Sequence, residues 1–357
     1  MIMVKDMYLF HNDYNECCHP QVVEKIVEQQ NIQMPGYGCD VCCESAADTI
    51  RNLCDCPDAD IHFLVGGTQT NLIVIASALR PYQAVLSAAS GHINVHETGA
   101  IEATGHKVVA LTTPDGKLTA TQIAKAAENQ LADEAAEHVV QIKMVYISNS
   151  TELGTIYTLQ ELEDISAICR KYGFYLFMDG ARLSYALTAE NSDVSLADIA
   201  RLCDVFYIGG TKCGAMFGEA VVINNPNIAA DFRYMIKQRG AMLAKGWLLG
   251  LQFQALLEND LYFEIAARAN RLADQLRQKL NELGYQELIQ GSTNQIFPIL
   301  PNKLLDALAA DFTFSAQETI DDEHRAVRFC TSWATTQESV DALCGALELL
   351  TQKEVSE

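Results

Sequence analysis

Short runs of apolar residues recur along the chain, separated by stretches in which apolar positions return every three or four residues. The runs Ile61–Val65, Ala84–Ser87, Lys107–Leu111, Gln141–Ser148, Gly173–Met178, Val205–Ile208 and Glu219–Ile223 predict strands. Several are too uniformly apolar to alternate, as befits strands covered on both faces. Among the amphipathic stretches between them, Thr158–Tyr172 is well marked. Thr158 and Glu161 have capping-box spacing, and Gly173 stands where such a helix would stop. Strand and helix in alternation predict an α/β unit with one large, mostly parallel sheet.

After Gly246 the pattern changes. Trp247 to about Leu283 reads as long helices, followed by strands Gln295–Leu300 and Ala326–Thr331 and a helix Gln337–Leu350. This predicts an N-terminal arm (1–22), a large domain (23–246) and a smaller α+β domain (247–357), with a polar tail from Lys353 that frays. A length of 357 residues agrees with about two domains.

Charge narrows the function classes. With 25 Lys+Arg against 46 Asp+Glu, the net charge is −21, a field that repels phosphate backbones and anionic lipid heads. No nucleic-acid or membrane partner is expected, and no apolar run nears the roughly 20 residues of a membrane helix. The first residues include Asp6 and lack an apolar run of leader length, which predicts a cytoplasmic setting. There the 12 cysteines would stay free thiols. Cys39 and Cys42 have CxxC spacing but no second pair at zinc-ribbon distance, so no metal site is expected.

In open α/β sheets ligands bind beyond the carboxyl ends of the strands, and five such places carry chemistry. Gly66-Gly67-Thr68 opens a helix expected over Asn71–Leu79, as either a plain turn or a phosphate cup. His92, close to His96 and Glu97, is either a capping histidine or a ring that stacks and moves protons. Asp179 ends an apolar strand, so it needs a cation, a protonated ring nitrogen or a metal as partner. Arg182 is then either its ion-pair partner or an anion clamp. Thr211-Lys212 follows another buried strand in a glycine-rich turn. Desolvation there would make the Lys212 amine nucleophilic, unless it reaches solvent, and Thr211 could bond a phosphate oxygen. Arg328, in an apolar strand, wants a carboxylate, either structural or a substrate's. Together these describe a pyridoxal-phosphate site.

The sequence resembles the L-threonine aldolase (β-eliminating lyase) family of fold-type-I pyridoxal-phosphate enzymes, whose fold is aspartate aminotransferase-like. The resemblance runs along nearly the whole chain. It rests on Tyr37-Gly-x-Asp40, Gly67-Thr-Gln-Thr-Asn71, His92-x4-Glu97-x-Gly99-Ala, Thr151-Glu-Leu-Gly154, Asp179-Gly-Ala-Arg182, Thr211-Lys212 and Val327-Arg328-Phe. It implies that Lys212 carries the cofactor as a Schiff base, Asp179 pairs with the ring nitrogen and His92 stacks on the ring. Gly67, Thr68 and Thr211 would hold the phosphate, and Arg182 and Arg328 the substrate carboxylate. The implied reaction is cleavage of threonine or allo-threonine to glycine and an aldehyde, with His92 as candidate base. The family forms dimers or tetramers with shared sites, to which a neighbour's Lys237–Lys245 segment would contribute. Where many members carry Ser-Asp-Thr near the N-terminus, this chain has Asn12-Asp13-Tyr14. The alternatives are another fold-type-I enzyme, an amino-acid β-lyase or aminotransferase, and remotely a zinc-binding assembly protein built on the cysteines.

Overall fold

The computed structural model describes residues 7–356, with side chains through Gln352; Asp6 and the start of the arm lie outside them. Among the described residues thirteen strands run in chain order. They are β1 (Tyr8–Leu9), β2 (Asp60–Leu64), β3 (Gln83–Ala88), β4 (Val108–Leu111), β5 (Gln141–Ser148), β6 (Tyr175–Asp179) and β7 (Val205–Gly209). After them come β8 (Glu219–Ile223), β9 (Gln295–Ile296), β10 (Ile299–Pro301), β11 (Phe312–Thr313), β12 (Ser315–Thr319) and β13 (His324–Cys330).

A seven-stranded sheet of order β2-β8-β7-β6-β5-β3-β4 forms the centre. Its pairings are parallel except on the two sides of β8. The apolar runs are strands because both faces are covered. Phe206, Ile208, Met178 and Val145 enter one core, while Val205, Tyr207, Phe177 and Tyr146 enter the other. The helix Leu159–Tyr172 has both capping-box bonds at its start and Gly173 at φ 68° at its end. The helix expected from Asn71 begins at Gly67 and reaches Ala78.

The small unit is antiparallel, with order β10-β13-β12 and β9 paired to β13. The strand expected over Gln295–Leu300 is broken at Phe297-Pro298, because proline has no N–H for the ladder. Trp247–Leu283 is two helices, Trp247–Leu257 and Leu261–Glu282, parted where Asn259 and Asp260 take φ of 55° and 61°. The cores do not divide at residue 246: Phe253, Leu256, Tyr262 and Ala269 pack in the large core, and only from Leu272 does the second helix join the small one. The last helix runs from Gln337 to Ser356, so the backbone from Lys353 is helical and not a frayed tail. The described arm is divided: β1 pairs with β11 and Phe10 lies in the small core, while Cys18 and Val22 pack in the large one. No described helix is long and apolar enough to cross a membrane.

Candidate active site

Strands β5, β6 and β7 are parallel, and β2 reaches the same direction through two antiparallel steps across β8. Their carboxyl ends therefore meet at one edge, where a cavity of about 850 Å³ opens. Its walls bring together Gly67, Thr68, His92, Asp179, Arg182, Thr211, Lys212 and Arg328, the residues expected within one chain to meet cofactor and substrate; the Lys237–Lys245 segment is not among them.

Asp179 forms the floor, 5% exposed. Register and the two-residue period place Tyr146, Asp179 and Tyr207 on one face of neighbouring strands. The Tyr146 hydroxyl donates to Asp179 Oδ2 at 2.5 Å, Asn71 Nδ2 to the same oxygen at 3.1 Å, and the Ala181 N–H to Oδ1 at 3.0 Å. Burial alone would push this carboxyl up. The charge of His92 and the hydroxyls of Tyr146 and Tyr207 outweigh that and hold it below its ordinary value. Asp179 is an anion waiting for a cationic partner, and that partner is not Arg182. Just past it, a Cβ on Gly180 would lie 1.7 Å from the Tyr207 carbonyl oxygen, so only glycine lets β6 and β7 close here.

Lys212 is half-buried on the wall. Burial first, and then the Arg182 charge, lower its pKa, with Asp13, Asp179 and Glu219 opposing. This favours the neutral, nucleophilic amine. Beside it, the Thr211 hydroxyl donates to Glu219 Oε1 at 2.9 Å, and the Gly210 N–H to Oε2 at 2.9 Å. Glu219 is 3% exposed, and burial raises its pKa to about 7.

Opposite, the helix Gly67–Ala78 starts without a side-chain cap. Its free first-turn N–H groups and dipole suit an anion. His92 Nδ1 lies 2.8 Å from Glu97 Oε1, and its backbone N–H donates to Glu152 Oε1 at 2.9 Å. His96 is exposed beside it, with ring centroids 5.7 Å apart.

The arginines differ. Arg182 forms a fork with Asp13 of the arm, Nε to Oδ2 at 2.7 Å and Nη2 to Oδ1 at 3.0 Å. Arg328 donates to Gln295 Oε1 at 3.2 Å and to the His11 carbonyl at 2.9 Å, both neutral oxygens. Its charge is thus available to a substrate carboxylate. Sequence reasoning gave no role to Asp13, Asn71, Glu97, Glu152 or Glu219; the signals were the motifs containing Asn71, Glu97 and Glu152 and the departure from the family pattern at Asp13. Nine of the twelve cysteines are buried, and among the described residues no three His, Cys, Asp or Glu side chains gather as a metal site. A buried anion, a lysine whose pKa burial lowers and an uncapped helix start around one cavity fit a phosphorylated aromatic aldehyde with a protonatable ring nitrogen.

Comparison with known proteins agrees. Residues 22–302 match the beta-eliminating lyase family model. A low specificity L-threonine aldolase of Pseudomonas sp. is 30% identical over 86% of this chain and 87% of its own, and that of Pseudomonas aeruginosa 29% over 95% and 96%. The solved Leishmania major threonine aldolase is 48% identical with a TM-score of 0.94, covering 96% of this chain and 99% of its own. Thermus thermophilus aspartate aminotransferase, 17% identical over 97% of this chain and 91% of its own with a TM-score of 0.71, shares the fold alone. Of the motifs that drew the sequence toward one family, all but Tyr37-Gly-x-Asp40, which lines a separate pocket, thus reach one cavity of an aspartate aminotransferase-like fold, and the chain belongs to the beta-eliminating lyase family.

Proposed function

We propose that this chain is a pyridoxal-phosphate-dependent aldolase that cleaves L-threonine, L-allo-threonine and related β-hydroxy-α-amino acids to glycine and an aldehyde. The observation that carries this reading is the convergence of Lys212, Asp179 and the uncapped helix start at Gly67 on one cavity, beside an Arg328 bonded to neutral oxygens. Bound there, pyridoxal phosphate supplies the electron sink that carbon–carbon cleavage at Cα requires.

The chain's own groups do the rest. Gly67 and Thr68 hold the phosphate, Thr211 joins them by turning its hydroxyl from Glu219 to the anion, and Asp179 holds a proton at the ring nitrogen. Lys212 provides the amine that anchors the cofactor. Arg328 and the outer edge of Arg182 bind the substrate carboxylate, so that the Cα–Cβ bond is held in one orientation. His92 takes the proton from the β-hydroxyl. Exposed Tyr37, Val41 and Tyr234, near the basic segment Lys237–Lys245, support a homo-oligomer with shared sites.

Incubation with L-threonine and its stereoisomers tests the reaction. Glycine with acetaldehyde is expected, and pyruvate with ammonia would replace the aldolase by a β-eliminating enzyme. Lys212→Ala should lose the cofactor's visible absorbance in its lysine-bound form and at least about 10⁴-fold in kcat. A variant that keeps both removes the role of the lysine.

A further inference from the structure

A neutral imidazole can carry its hydrogen on either nitrogen, and only one arrangement leaves His92 a lone pair for substrate. We propose that Glu97 and Asn71 are a positioning pair that fixes His92 with its hydrogen on Nδ1 and its lone pair on Nε2. The reaction served by that lone pair rests on the function proposed above; the tautomer itself does not.

Glu97 is 6% exposed, and its Oε1 accepts twice, from His92 Nδ1 at 2.8 Å and from Asn71 Nδ2 at 2.7 Å. The same Asn71 nitrogen donates to Asp179 Oδ2 at 3.1 Å. Both partners of Asn71 are carboxylate oxygens, so chemistry alone turns its NH₂ toward them, one hydrogen to each. An ionised carboxylate only accepts, so the shared hydrogen in the His92–Glu97 contact belongs to Nδ1. In the neutral ring Nε2 is then left as the acceptor. Glu152 fixes the main chain as well, taking the His92 N–H at 2.9 Å and the Ser148 hydroxyl at 2.7 Å.

This is the logic of a base whose far nitrogen is held by a buried carboxylate. Glu97 does not touch the substrate; it acts through His92. Asn71 has a second duty. Its NH₂ stands between the buried carboxylates of Glu97 and Asp179 and bridges them, one hydrogen to an oxygen of each. One amide therefore ties the acid on the ring side to the group that orients the base on the substrate side.

The test uses ¹⁵N-histidine labelling of the full chain, with the His92 signals assigned through His92→Gln. In the neutral form, wild type should show the Nδ1–H tautomer, with and without pyridoxal phosphate. An Nε2–H tautomer there overturns the proposal whatever the activity. Glu97→Gln keeps an acceptor oxygen, so it should keep the tautomer and lose no more than about tenfold in kcat. Glu97→Leu removes the acceptor and should mix the tautomers. Its kcat for threonine cleavage should fall roughly 100-fold, the lower end of what a positioned base contributes, with KM and cofactor affinity within about threefold. Equal losses in the two variants, or losses confined to cofactor affinity, would reduce Glu97 to a packing role. If wild type releases no aldehyde while His92 carries its hydrogen on Nδ1, the reaction fails and the tautomer assignment stands.

Discussion

The floor and the mouth of the cavity are built in opposite ways. At the floor, Asp179, Tyr146, Asn71, Glu97 and His92 all belong to the large sheet and its first connections, and their hydrogen bonds stay within that unit. At the mouth, Asp13 of the arm grips Arg182 of the large unit and Asn294 of the small one, while Arg328 leans on His11 and Gln295. The floor is fixed by strand register; the mouth exists only once three distant segments have come together. On the proposed function, cofactor chemistry falls to the floor, and selection among substrates falls to the mouth, where segments can be retuned without moving the floor.

That contrast can be broken experimentally. Asp179→Ala should lose about 10³-fold in kcat with weakened cofactor binding, measured by steady-state kinetics and cofactor titration. A change in threonine KM alone would erase the distinction between floor and mouth. Asp13→Ala strands a buried guanidinium and should cost about 3–5 kcal/mol in denaturant unfolding. Burial raises the Asp13 carboxyl, but the Arg182 and Lys212 charges, with bonds from Arg182 and Asn294, bring it to about 2 from 3.8. Its stabilisation is therefore complete above about pH 4 and fades as pH falls toward 2.

Glu219 has the opposite sign. Its folded value of about 7 stands above an ordinary 4.5, so wild type loses stability as pH rises from 4.5 through 7 and no further beyond. Glu219→Gln should remove that slope, a difference on the order of 3 kcal/mol between urea unfolding at pH 4.5 and at pH 8. An unchanged slope would mean that Glu219 is ionised in the folded chain throughout. The smallest effect is expected at the mouth: Arg328→Gln should raise threonine KM about 10- to 100-fold with kcat within a few-fold, because the lost contact is made before and during reaction alike.

What the sequence made legible follows the same division. The strand ends at Ser148, Asp179 and Gly209 could be read to within one residue because uniformly apolar runs stop at polar or glycine residues, and so the lysine, the acid and the glycine turn could be placed on one edge. The antiparallel direction of β8 could not be read, since direction leaves no mark in composition. β12 escaped notice because four of its five residues are exposed and no apolar pattern betrays an edge strand. Asp13 was visible only as a departure from the family pattern. Its partners Arg182 and Asn294 lie 169 and 281 residues away, and no local spacing encodes such a meeting.

The pairing of β1 with β11 has a consequence for the order of events during synthesis. Phe10 meets Thr313 across 303 residues of chain, so the first strand to emerge must wait for nearly the last. At ribosomal rates of roughly 5–20 residues per second, that wait is about 15–60 s. Throughout it the sheet can already be folding while Asp13 and its neighbours have nothing to hold. The mouth is therefore the last part of the pocket to be finished on a nascent chain, and a bulky fusion at the N-terminus should slow its completion before it disturbs anything else.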